Sequence, residues 1–79
     1  METAYVLVNC DLGSEEGIIK DLKHIDSVKE VHGTFGAYDI ITKVENKDRD
    51  KLKEVITWNI RRLAHVRSTL TLMGIPGQN

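Results

Sequence analysis

The sequence predicts an α+β fold of β-α-β-β-α-β order, the ferredoxin-like sandwich, with a four-stranded antiparallel sheet and two helices on one of its faces. Three observations in the 79 residues lead there. Two-residue alternation marks four strand segments. Spacing at i, i+4 and i+7 marks two helical ones. The halves also repeat one another: Ile18, Leu22, Ile25, Val28 and Lys29 return thirty-eight positions later as Ile56, Ile60, Leu63, Val66 and Arg67.

Thr3 to Cys10 reads as the first strand. Ala4, Val6, Val8 and Cys10 share one side, and Tyr5, Leu7 and Asn9 the other. Apolar residues on both sides mean a strand covered twice. Asp11-Leu12-Gly13-Ser14 forms a turn, with Ser14 as the N-cap of a first helix and Glu15 and Glu16 favourable in its first turn. Ile18, Leu22 and Ile25 give that helix its apolar stripe, and Gly17 weakens its start. Val28 to Phe35 reads as the second strand, Gly36 breaks it, and Ala37 to Val44 reads as the third, joined by a tight bend. The second helix starts at Asn46 to Asp48, with Asp48 as cap, and carries Leu52, Val55, Ile56, Ile60 and Leu63 inward. Val66 to Ile75 is the last strand, ended by Pro76-Gly77. With both helices on one face, the other is bare and carries apolar residues such as Leu7 or Val8, which makes it an association surface.

Composition narrows the function. A single domain spans 1–79, and so short a chain needs a staple. One cysteine excludes an internal disulfide, and no CxxC or HxxxH spacing marks a zinc site, so the expected staple is a second copy of the chain. Eleven basic against twelve acidic residues supply no basic face for nucleic acid. No apolar run can span a bilayer or act as a signal peptide. The lone thiol and the missing leader favour the cytoplasm.

The most informative stretch is Gly33-Thr34-Phe35-Gly36-Ala37-Tyr38-Asp39. Glycines let a ligand approach the backbone, free N–H groups at a bend hold carboxylates, and Asp39 can pair with an ammonium group. Together these suit an amino acid, although the same residues also suit a plain hairpin turn with a solvated Asp39. Ser68, Thr69 and Thr71 on the last strand offer hydroxyls to the same pocket, or simply suit a sheet. Cys10, His24, His32 and His65 are the available soft ligands. No two share a ligand-like spacing, which leaves a metal site only between subunits. Trp58 stands about 120° off the stripe of the second helix, as an interface anchor or a rim residue. Asn59 projects along the stripe and needs a hydrogen-bond partner if buried. No nucleophile elbow, P-loop or Ser/His/Asp set supports catalysis.

Gly36-Ala37-Tyr38-Asp39 resembles the G-x-Y-D pattern of the Lrp/AsnC family's ligand-binding domain, also called RAM. Thr3-Ala4-Tyr5-Val6-Leu7-Val8, Val28-Lys29-Glu30-Val31 and Val66-Arg67-Ser68-Thr69-Leu70-Thr71 resemble its strands, so the resemblance runs from about residue 3 to residue 75. It implies a domain that dimerises through its sheet, assembles further, and binds an amino-acid effector between dimers. It places Gly36, Ala37, Tyr38, Asp39, Ser68, Thr69 and Thr71 at that site. Backbone groups at Gly36 and Ala37 would meet the carboxylate, and Asp39 the ammonium. The family's usual N-terminal helix-turn-helix is missing from the sequence, which resembles the stand-alone members. The expectation is a cytoplasmic, non-enzymatic sensing oligomer without a cofactor, membrane contact or direct nucleic-acid contact. It would modulate transcription through full-length Lrp/AsnC regulators. The alternative is a metal-binding oligomeric module with inter-subunit His and Cys ligands.

Overall fold

A computed structural model of the chain describes residues 1–75 and 77–78, so of the expected strand terminator Pro76-Gly77 only Gly77 lies among the described residues. The strands are β1 (Glu2–Cys10), β2 (Val28–Gly33), β3 (Ile40–Asn46) and β4 (Val66–Met73). The helices are α1 (Glu15–Lys23) and α2 (Arg49–Glu54), the latter continuing as a π-helical segment, Val55–Ile60. The sheet order is β2-β3-β1-β4, antiparallel throughout. This is the expected ferredoxin-like architecture.

The core lies between the sheet and the helices. Ala4, Val6, Val8 and Cys10 come from β1, Ile40 and Val44 from β3, and Ile18, Leu22, Leu52, Ile56 and Ile60 from the helical elements. Each buried Val, Leu or Ile contributes about 1.5–3 kcal/mol of transfer free energy. Val8 therefore belongs to the core, and Leu7 is the one that faces the bare side. Thr42 is fully buried on β3, and its hydroxyl donates to the Glu30 carbonyl at 3.0 Å.

The internal repeat is visible in the backbone. Val28 N–H donates to the Ile25 carbonyl at 3.0 Å, and Val66 N–H to that of Leu63 at 3.2 Å. Glu45 N–H reaches Ser27 O as Asp11 N–H reaches His65 O. Each of β2 and β4 then shifts register after its first residue. Val28 pairs with Val44 and Glu30 with Lys43, and Val66 pairs with Cys10 and Ser68 with Asn9. Lys29 and Arg67 are thus the extra residues of two matching β-bulges.

Several boundaries differ from expectation. β2 stops at Gly33 and β3 starts at Ile40, so the G-x-Y-D residues form a loop and do not open a strand. That loop closes on itself: Thr34 N–H donates to Asp39 O at 2.8 Å, and Thr34 Oγ1 to Tyr38 O at 2.7 Å. Gly36 adopts φ 148 there, a conformation that disfavours any side chain. β4 ends at Met73 rather than Ile75. Ser14 stands at the N-cap of α1 without a side-chain capping bond, its backbone lying in the helical region (φ −95, ψ −4) and not in the extended one typical of a capping residue. Asp48 caps α2 as expected, accepting Asp50 N–H at 2.9 Å.

The largest local difference concerns Asn59, which is exposed rather than aligned with the core. An i→i+5 bond from Arg61 N–H to Ile56 O, 3.0 Å long, widens this turn. Ile60 comes round beneath Ile56, both buried, and Asn59 is carried outward. Leu63 falls in the following turn, yet still packs against the core.

Candidate functional site

Asp39 is held at the end of the sheet where β1 finishes and β4 begins. Its N–H donates to Val8 O at 3.0 Å, and its Oδ2 accepts Cys10 N–H at 3.0 Å. The Cys10 thiol lies 3.7 Å from both Asp39 Oδ2 and Glu15 Oε1. Burial, followed by those two negative charges, pushes the Cys10 thiol up to about 11. It stays protonated at neutral pH and is a poor nucleophile or metal ligand. Among the described residues Asp39 Oδ1 meets no donor, and the N–H groups of Gly36 and Ala37, earlier in the same loop, meet no acceptor. Loop and sheet end together frame an open groove of about 380 Å³, lined by Asn9, Cys10, Asp39, Arg67 and Ser68.

Of the residues expected at one pocket, Asp39 and Ser68 line this groove, and Gly36, Ala37 and Tyr38 lie in the loop that leads into Asp39. Thr69 and Thr71 do not join them. They pair with Val8 and Val6, which face the helices, so their side chains take the opposite side of β4 from Ser68. Asn9 and Arg67 are groove residues that the sequence reading missed. The signal for Arg67 was the repeat itself, which aligns it with Lys29.

The bare face is divided. On β1 and β4, Tyr5 pairs with Leu72 and Leu7 with Leu70, an apolar half in which Leu70 is 43% and Leu72 51% exposed. On β2 and β3, Glu30, His32, Lys43 and Glu45 make a charged half. Glu30 lies 3.2 Å from His32 and 3.6 Å from Lys43. The His32 hydrogen bond and then the Lys43 charge hold the Glu30 carboxyl below the usual carboxylate range. Leu12 and Phe35 are fully exposed beyond the groove end of the sheet. Trp58 is 56% exposed with the Arg62 guanidinium 4.1 Å over its ring.

The four soft ligands stay apart. His24 Nδ1 is 2.8 Å from Lys20 O, His32 pairs with Glu30, and His65 Nδ1 is 3.3 Å from Asp11 Oδ2. Among the described residues no three of His, Cys, Asp and Glu gather to hold a metal ion. No helix among them is long and apolar enough to cross a membrane.

The family model of the Lrp/AsnC ligand binding domain matches residues 3–75. The chain belongs to this family. A hypothetical protein from Pyrococcus horikoshii has the same fold with TM-score 0.89 and 33% identity, over 95% of this chain and 90% of that one. A transcriptional regulator from Neisseria meningitidis, in complex with L-Met, shares the fold at TM-score 0.85 and 10% identity, over 99% of this chain and 52% of that one. Homocitrate synthase of Saccharolobus islandicus is 41% identical over 69 residues, covering 86% of this chain. The chain spans only 15% of the length of that curated relative. In this Lrp/AsnC ligand-binding domain the G-x-Y-D residues lie in the loop between β2 and β3, and Asp39 is the one of them that lines the groove.

Proposed function

We propose that the protein senses an amino acid in the cytoplasm, binding it at the Asp39 end of the sheet, and answers by changing its assembly with itself and with Lrp/AsnC regulators. One observation carries the ligand: a fixed carboxylate with a free oxygen, in a groove of amino-acid size, at the end of a loop in which the Gly36 and Ala37 N–H groups meet no acceptor among the described residues. The complex of the Neisseria regulator with L-Met supports the class of ligand. Gly36, Ala37, Tyr38, Asp39 and Ser68 form the site.

Self-association rests on the apolar half of the bare face, where Tyr5, Leu7, Leu70 and Leu72 lie in paired rows. A two-fold partner seated there would cover them, and about 800 Å² per partner is the usual requirement. Leu12 and Phe35, exposed beside the groove, suit its closure by a further subunit. The ligand changes assembly only through unequal affinity for the two states. With a net charge of −1 the domain acts on transcription through partners, not through phosphate contacts. It performs no catalysis of its own.

A thermal-shift and light-scattering screen against the twenty standard amino acids tests the reading. A raised melting temperature with a change in particle mass for at least one is expected; no response to any would refute it. A second reading puts the same sensing groove in control of an enzyme, favoured by the 41% identity with homocitrate synthases. It predicts that the chain with its amino acid alters homocitrate synthase turnover in trans; unchanged turnover removes it.

A further inference from the structure

We infer that Arg67 is the carboxylate-binding residue of the groove, and that its ligand is a zwitterion held between Arg67 and Asp39. The inference rests on the amino-acid reading above and deepens it. Strict alternation back from Thr69 would point Ser68 to the bare face, Arg67 to the helices and Val66 to the bare face again. The bulge breaks that order. Val66 pairs with Cys10 and packs against the core, Ser68 pairs with Asn9, and Arg67 is left unpaired between them. Its side chain is 71% exposed and lines the groove that Asp39 also lines. Bulges often aim a side chain at a site in this way.

The bulge is held in place from behind. His65, just before β4, is the one described non-glycine residue with positive φ, at 71. Asp11 fixes it twice, by its N–H to His65 O at 2.9 Å and by its Oδ2 near His65 Nδ1. Such a conformation persists only where the surroundings over-determine it. Asp11 Oδ1 lies 3.8 Å from Arg67 Nε, a loose exposed pair that leaves most of the guanidinium's donors uncommitted. An incoming carboxylate can take that fork in two parallel hydrogen bonds.

Charge then selects the ligand. The groove holds one anionic and one cationic side chain, Asp39 and Arg67, beside the neutral Asn9, Cys10 and Ser68. A simple anion would meet Asp39, and a simple cation would meet Arg67. A molecule carrying both charges a few ångströms apart satisfies both, as a free α-amino acid does. The loop N–H groups of Gly36 and Ala37 remain available to the ligand's side chain or to a closing subunit.

The test compares the twenty L-amino acids with their α-amides, which keep the ammonium and lack the carboxylate. Titration calorimetry is run on the wild-type protein, Arg67→Ala, Arg67→Lys and Lys29→Ala. The expected result is binding of at least one amino acid to wild type, with its amide bound about 10- to 100-fold more weakly. Arg67→Ala should lose the same factor for the acid and nothing for the amide. Arg67→Lys should recover part of it, and Lys29→Ala should match wild type. If an amino acid binds wild type and Arg67→Ala equally well, Arg67 is not its carboxylate partner, while amino-acid sensing stands. If none binds wild type, the sensing reading fails and this inference with it.

Discussion

Lys29 and Arg67 occupy matching bulges at opposite ends of the sheet, each one residue into its strand and each preceded by a turn closed by an equivalent backbone hydrogen bond, although only the second turn carries a positive φ, at His65. At the first end, Lys29 Nζ donates to Asp26 O at 3.1 Å, and Asn46 Nδ2 donates to Ser27 Oγ at 3.1 Å. That end is tied up in its own backbone and side chains. At the second end the Arg67 side chain has, among the described residues, only a long pair to Asp11, and the β2–β3 loop brings Asp39 in across the strand ends. The repeat supplies two similar frames. The hairpin loop lies between the halves and occurs once, so it gives chemistry to one frame only.

The strongest way to break the comparison is through the core. Leu22 and Ile60 are equivalent in the repeat, and both are fully buried. Leu22→Ala and Ile60→Ala should each lower unfolding free energy by about 2–5 kcal/mol in urea melts. A loss at one position only would show that the halves do not share the core equally. Asp39→Ala comes next. It leaves Cys10 N–H without its acceptor and should cost about 1–3 kcal/mol by the same melts, besides abolishing amino-acid binding.

The helix starts sharpen the contrast further. Asp48→Ala removes a formed cap and should cost about 1 kcal/mol, whereas Ser14→Ala removes no capping bond and should leave the melt unchanged. The smallest effect is alkaline. The folded state holds the Cys10 proton up to about pH 11, whereas an unfolded thiol releases it near 9.0. Stability is therefore untouched below about pH 9 and falls as pH rises from there towards 11. Cys10→Ala should flatten that decline in pH-dependent melts, and wild-type Cys10 should resist alkylation at pH 8 until denaturant is added.

The fold was legible because alternation and i, i+4, i+7 spacing follow directly from burial, and the repeat of Ile18 to Lys29 in Ile56 to Arg67 survives in the backbone. Three features were not legible, each for a physical reason. The extent of the G-x-Y-D loop depends on Thr34 bonding to Asp39 and Tyr38, a closure that strand propensity does not encode. Asn59 escapes the core through one wide turn, which a fixed 3.6-residue period cannot describe. Arg67 reaches the groove through a bulge, and period-two reading puts it on the wrong side of β4. The same reading, applied correctly, separates Ser68 from Thr69 and Thr71.

The two ends of the sheet are separated most sharply by which of them meets the ligand. The most direct measurement is an amide NMR titration of the protein with the amino acid that gives the largest thermal shift. Perturbations centred on Asn9, Gly36, Ala37, Asp39, Arg67 and Ser68, with Lys29 and Asn46 unmoved, are the expected result. Perturbations centred on Lys29 and Asn46, with the Asp39 end silent, would contradict it.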